Sequence, residues 1–140
     1  MKYHVINLET NEIAQKDGSE PLDARYPNLL VSEFACQDGS EVVPYDPDIA
    51  KAFQRLRNIF GSLNVNSGFR TYAHNAKVGG ATDSQHLYGK AIDIATPDGV
   101  TDEFFILTAK ELFGDLFGYG LYKGRIHIDC RGYYKYWSMK

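Results

Sequence analysis

Two short runs constrain this chain more than anything else in it. Ala91-Ile92-Asp93-Ile94-Ala95 and Arg125-Ile126-His127-Ile128-Asp129-Cys130-Arg131 both alternate with a period of two. That period marks a strand with one buried face, because successive side chains leave a strand on opposite sides. Ile92 and Ile94 then face a core, and Ala91, Asp93 and Ala95 face away from it. In the second run Ile126, Ile128 and Cys130 face the core, while Arg125, His127, Asp129 and Arg131 share the other side. If both runs belong to one sheet, Asp93 and His127 meet on its polar face.

His86 lies seven residues before Asp93. Seven is odd, so one continuous strand cannot point both side chains the same way. His86 is therefore expected in a preceding loop, with Gly89 as the place where the chain turns. Together His86, Asp93 and His127 offer two nitrogens and one oxygen, with a fourth position left for water. That is the ligand count of a catalytic rather than a closed structural zinc site, and Zn2+ is the expected cofactor.

The remaining sequence supports one ordinary domain, residues 1–140 of an α+β class. The 140-residue length suits a single core, and apolar residues at 44% with charged residues at 24% are typical of globular chains. A net charge of −3 with no basic run excludes a nucleic-acid footprint. No apolar stretch approaches the ~20 residues of a membrane span. Residues Met1 to Asn7 lack the apolar centre of a secretory leader, so synthesis in the cytoplasm with no signal peptide is expected. Cys36 and Cys130 are read as buried thiols rather than a disulfide framework or zinc ligands.

Residues 2–8 read as a short strand, and Asn11 to Asn28 as an irregular arm punctuated by Gly18, Pro21 and Pro27. Residues 1–28 thus form an N-terminal arm before a core at 29–131 and an aromatic tail at 132–140. Asp46-Pro47 is a helix start, Ile49, Phe53, Leu56 and Phe60 recur at helical spacing, and Gly61 is a stop. Arg55 and Arg57 are assigned to the solvated face of that helix. Leu63 to Arg70 reads as strand then turn, Thr71 to Lys77 as a short helix, and Asp102 to Phe113 as a second long helix capped by Thr101. Phe117–Tyr122 and Arg125–Arg131 form a hairpin through Lys123-Gly124, and the tail adds an edge strand. The sum is a mainly antiparallel sheet with helices packed on one face. Gly118 and Gly120 share a strand face with Tyr122, and their missing side chains would leave a groove for an extended peptide beside the metal.

An ordered set of short motifs carries a resemblance. Ser67-Gly68-Phe69-Arg70, Asn75, Gly79-Gly80-Ala81, Ser84-Gln85-His86, Gly89-Lys90-Ala91-Ile92-Asp93-Ile94 and Ile126-His127-Ile128-Asp129 resemble the zinc D-alanyl-D-alanine carboxypeptidase and L,D-endopeptidase family. Its fold is shared with the signalling domain of hedgehog proteins. The resemblance spans roughly residues 29 to 131, because Ser32 to Cys36 with Asp38-Gly39 also looks like the start of the family's domain. It implies a zinc metallopeptidase acting on peptidoglycan stem peptides, with His86, Asp93 and His127 as metal ligands. It gives Arg70 the task of binding substrate and stabilising negative charge at the carbonyl, and makes Ser84 a substrate contact. Tyr122 or Tyr119 is a further candidate wall of the binding groove.

One departure stands out. Many relatives carry Glu or Asp three residues before the last zinc histidine as general base; here that position is Gly124. Asp129 shares the face of His127 and is the candidate base or the residue that orients the ligand. A salt bridge to Arg125, Arg131 or Arg70 is the alternative for Asp129. A monomer is expected, acting on the cell wall after release or as part of a phage particle. The competing reading is a non-catalytic zinc-containing module that binds peptidoglycan or peptide.

Overall fold

A computed structural model describes residues 2–140 as a single α+β unit. In chain order the strands are β1 Lys2–Asn7, β2 Ile13–Asp17, β3 Pro21–Asp23, β4 Tyr26–Leu30 and β5 Val42–Tyr45, followed by β6 Val65–Ser67, β7 Ala91–Ala95, β8 Gly118–Tyr122, β9 Arg125–Asp129 and β10 Lys135–Ser138. The helices are α1 Val31–Phe34, α2 Pro47–Phe60, α3 Tyr72–Lys77 and α4 Asp102–Phe113, and a 3₁₀ turn covers Gln85–Tyr88.

The long helices start and stop where their sequence dictates. Asp46 caps α2 by accepting from the Asp48 N–H, and Pro47 occupies the first turn, where no N–H is needed. Thr101 caps α4 by accepting from the Phe104 N–H, and Gly61 and Gly114 terminate the two helices with positive φ. Ile49, Phe53 and Leu56 of α2 are fully buried, and Phe60 meets Phe105 of α4 edge-on at 5.0 Å. α4 in turn packs on β8 and β9. Ile92, Ile94, Ile126, Ile128, Tyr119 and Leu121 join the same core from the apolar face of the main sheet.

That sheet has five strands in the order β10-β8-β9-β7-β6. Only the β10–β8 pairing is parallel; β8–β9, β9–β7 and β7–β6 are antiparallel. The two strands of the alternating runs, β7 and β9, are paired inside the sheet rather than at its edges, which puts Asp93 and His127 side by side. The 3₁₀ turn reaches the polar face of the sheet through His86, which meets Asp93, and α3 joins it there through Asn75, which meets Arg70, so helices do not all lie on one face.

The N-terminal segment departs from the expected irregular arm. β2 pairs antiparallel with β1, β1 pairs parallel with β5, and β3 pairs with β4 as a separate ribbon. β2 is largely exposed, so its side chains carry no hydrophobic period; its ladder of backbone hydrogen bonds is joined by a Lys2–Asp17 ion pair across the two strands. The β3–β4 ribbon is anchored by Asp23, whose carboxylate accepts from Arg25 Nε at 3.1 Å, Arg25 Nη2 at 2.9 Å and the Tyr45 hydroxyl at 2.9 Å.

Arg57 also differs from expectation. It turns inward, with Nη2 2.7 Å from Glu33 Oε2 and 2.6 Å from the Leu63 carbonyl. α1 lies against this end of α2 and supplies the carboxylate, a long-range partner that helical periodicity does not report. Among the described residues, no helix is long and apolar enough to cross a membrane.

Candidate metal centre

Register brings the first two residues together. Asp93 of β7 and His127 of β9 are directly opposed, and His127 Nδ1 lies 2.8 Å from Asp93 Oδ1. His86 reaches them from the 3₁₀ turn. Ser84 starts that turn by accepting the His86 N–H on its Oγ, and Gly89 ends it at φ 66. A Cβ at Gly89 would also collide with the backbone of Pro44. The turn therefore needs glycine twice over, for its left-handed φ and for the close approach of β5.

His86 Nδ1 sits 2.6 Å from the Gly68 carbonyl. A carbonyl oxygen only accepts, so Nδ1 carries the proton and Nε2 keeps its lone pair. That lone pair points at Asp93 Oδ1, 3.2 Å away. His127 is held the other way round: Nε2 faces Asp129 Oδ2 at 2.7 Å, which leaves Nδ1 for the centre. Nε2 of His86, Oδ1 of Asp93 and Nδ1 of His127 all lie within 4.8 Å of one another, and all three residues are buried. Tetrahedral zinc with bonds of ~2.0–2.2 Å wants its ligand atoms ~3.4 Å apart. Two lone pairs and a carboxylate oxygen converging in a buried space fit a divalent cation.

Without a metal, the electrostatics give the three groups different charge preferences. Burial pushes the His86 imidazolium down, outweighing the pull of Asp93. Burial also opposes charge on His127, but hydrogen bonds to Asp129 and Asp93 outweigh it and hold its pKa above the ordinary value. Burial would raise Asp93, yet bonds from His127 and His86 keep its carboxyl well below the usual range. Arg70 holds the outer oxygen of Asp93, with Nη2 3.3 Å from Oδ2. Its Nε donates to Ser67 Oγ at 3.0 Å and its Nη1 to Asn75 Oδ1 at 3.3 Å.

The Peptidase M15 family profile matches residues 26–129, which contain the whole cluster and Arg70. The chain belongs to the Peptidase M15 family. It is also 44% identical over 43 residues to the zinc D-Ala-D-Ala carboxypeptidase of Streptomyces albus G. That match covers 29% of this chain and 17% of the relative's length.

Asp129 in this M15 chain is fully buried and has no free oxygen. Oδ1 accepts from Arg131 Nε at 2.7 Å, and Oδ2 accepts from Arg131 Nη2 and His127 Nε2, both at 2.7 Å. Burial opposes its ionisation, but these bonds hold the carboxyl down to about 2. A carboxylate that acidic and that enclosed is a poor proton acceptor. Of the roles considered for Asp129, the geometry suits orienting His127 through a salt bridge with Arg131, and it speaks against the general base. Gly124 sits at φ 81 in the β8–β9 turn, with its N–H donated to Asp102.

The expected groove over Gly118 and Gly120 is filled. A Cβ on Gly118 would meet Arg131 Nε at 2.5 Å, and one on Gly120 would meet the Trp137 ring at 2.7 Å. Trp137 comes from β10, opposite Gly120 in register, and its ring lies 5.1 Å from that of His127. Its indole N–H donates to the Tyr122 hydroxyl at 2.9 Å. Tyr122 is thus part of the site's rim, whereas Tyr119, the other groove-wall candidate, is buried in the core on the opposite face; Ser84 serves as the cap of the His86 turn. Trp137, Ser67 and Asn75 are members of the site to which the sequence pattern assigned no contact, while Arg131 is the one of the three arginines named as partners that pairs with Asp129. Parity along 135–137 against Gly118 and Gly120 was the available signal for Trp137.

Proposed function

We propose that this chain is a zinc-dependent metallopeptidase that cleaves peptide bonds in peptidoglycan stem peptides, as a D-Ala-D-Ala carboxypeptidase or an L,D-endopeptidase. The convergence of His86 Nε2, Asp93 Oδ1 and His127 Nδ1 in one buried space carries the reading. The named relative lends it the metal and the substrate class. Zinc held by these three residues would supply Lewis-acid polarisation of a peptide carbonyl and an acidified water.

The chain's own residues do the rest. Gly68 O and Asp129 fix the two imidazole tautomers, so that the correct nitrogens present lone pairs. Arg70 keeps the second oxygen of Asp93 occupied, which favours a single oxygen toward the metal. It also places a cation beside the centre, where negative charge builds on a carbonyl oxygen. A hedgehog/DD-peptidase-like arrangement of the fold is part of this proposal. Action on the wall, after release from the cell or from a phage particle, belongs to the same proposal.

A second reading has one observation in its favour. With Asp129 fully engaged and Gly124 without a side chain, neither of the two positions weighed for the general base offers a free carboxylate. A zinc-containing module that binds wall peptides without cutting them would look the same. Incubating the zinc-loaded protein with purified stem peptides and analysing the products by mass spectrometry decides between the two. Loss of a terminal residue or an internal split supports the peptidase. Intact peptide at full zinc occupancy overturns it.

A further inference from the structure

The rim of the centre holds a cation with no assigned task. Six arginines occur in the sequence. Arg25, Arg57, Arg70 and Arg131 each pair with a carboxylate, and Arg55 donates to the Leu112 carbonyl. Among the described residues, Arg125 alone of the arginines has neither; its guanidinium lies over the Tyr122 ring, 4.4 Å from the centroid. Tyr122 is itself fixed, because its hydroxyl accepts the Trp137 indole N–H. Stacking on a pinned ring restricts the long side chain, and among the described residues its N–H groups have no protein acceptor.

Placement gives this arginine a meaning. Arg125 precedes His127 by two residues on β9 and shares its face, so the two side chains start ~7 Å apart along the strand. An extended peptide has the same rise, and ~7 Å corresponds to two of its residues. Arg70 reaches the centre from the other side, through Asp93 on β7. A peptide crossing the centre would meet one arginine at the metal and a second at a fixed distance from it.

We propose that Arg125, held on Tyr122, is a subsite for a carboxylate of the peptide substrate, one or two residues from the bond at the metal. The inference rests on the peptidase reading and deepens it, because it selects acidic peptides over neutral ones. A guanidinium suits this task, since its planar fork matches a carboxylate with two parallel hydrogen bonds. Trp137 couples the subsite to the centre: it bonds Tyr122 at one end and lies against His127 at the other.

Trp137 is also the only tryptophan in the sequence, so its fluorescence reports on this rim directly. The test titrates zinc-loaded protein with stem peptide whose carboxylates are free, and with the same peptide carrying side-chain amides. Wild type, Arg125→Gln and Arg125→Lys are followed by Trp137 fluorescence, with KM and kcat read in parallel. The expected result is Kd and KM raised about ten- to a hundredfold by Arg125→Gln for the acidic peptide only, with kcat nearly kept and partial rescue by Arg125→Lys. Equal behaviour of wild type and Arg125→Gln on the acidic peptide overturns the subsite while leaving the peptidase reading in place. A wild-type protein that neither binds nor cleaves either peptide overturns both.

Discussion

His127 Nε2 stands 2.7 Å from Oδ2 of Asp129, a carboxylate that no solvent reaches. A neutral histidine must keep its proton on one nitrogen, and this contact decides which. Asp129→Asn removes the charged acceptor and frees the ring to turn. Zinc affinity is expected to fall about 10- to 100-fold, a typical cost of losing the partner that orients a metal-bound histidine. Competition with a chromogenic chelator measures it; unchanged affinity would show that the ring is held by packing alone.

Of the three candidate donors, His86 alone does not come from a strand. Saturating zinc at a hundred times its Kd should stabilise the wild type by about 2.7 kcal/mol. His86→Ala should lose most of that gain, because one of three donors is missing. Thermal unfolding with and without added zinc, and after chelator treatment, reads the difference. A zinc-dependent shift of equal size in both proteins would place the metal elsewhere.

Gly120 is the floor on which Trp137 rests. A Cβ there would stand 2.7 Å from the indole, so Gly120→Ala must push Trp137 off His127 or bend β8. The expected cost is about 1–3 kcal/mol, the usual range for overpacking. Trp137 emission should shift to the red as the ring enters water. Emission and stability both equal to wild type would mean that the ring is not seated as described.

Acid stability should report on the β3–β4 ribbon. Burial opposes the charge on Asp23, but hydrogen bonds from Arg25 and Tyr45 hold its folded pKa below the ordinary value. A depressed carboxylate contributes stability above the unfolded pKa near ~3.9, and loses it as pH falls through the folded value. Metal-free wild type should therefore lose more stability than Asp23→Asn between about pH 5 and pH 3. Urea unfolding across that range tests the sign; parallel curves would remove Asp23 from the acid response.

The centre was legible because its signals are local. Parity in 91–95 and 125–131 assigned faces, and an odd offset sent His86 into a turn. The ends of α2 and α4 were equally plain, since Asp46-Pro47, Thr101, Gly61 and Gly114 act on their own neighbours. What escaped depends on distant pairing. β2 is polar and largely exposed, and β5 is recognised only by its parallel ladder with β1. The space above Gly120 looks open until β10 returns alongside β8 and fills it with Trp137. Likewise, Asp129 could be read as base, orienter or ion-pair member until Arg131 was seen to occupy both of its oxygens.

The lash formed by Lys140 gives the tail a significance of its own. Its ammonium lies 3.0 Å from Asp102 and 2.7 Å from Glu103, at the start of α4, while Lys110 sits over Tyr136. Inheritance and architecture therefore part company here. The stretch shared with the family stops at Asp129, but one wall around His86, Asp93 and His127 is hung from residues beyond it. A protein trimmed to the shared stretch would keep all three candidate donors and lose both Arg131 and Trp137, leaving the centre with its floor but without one of its sides.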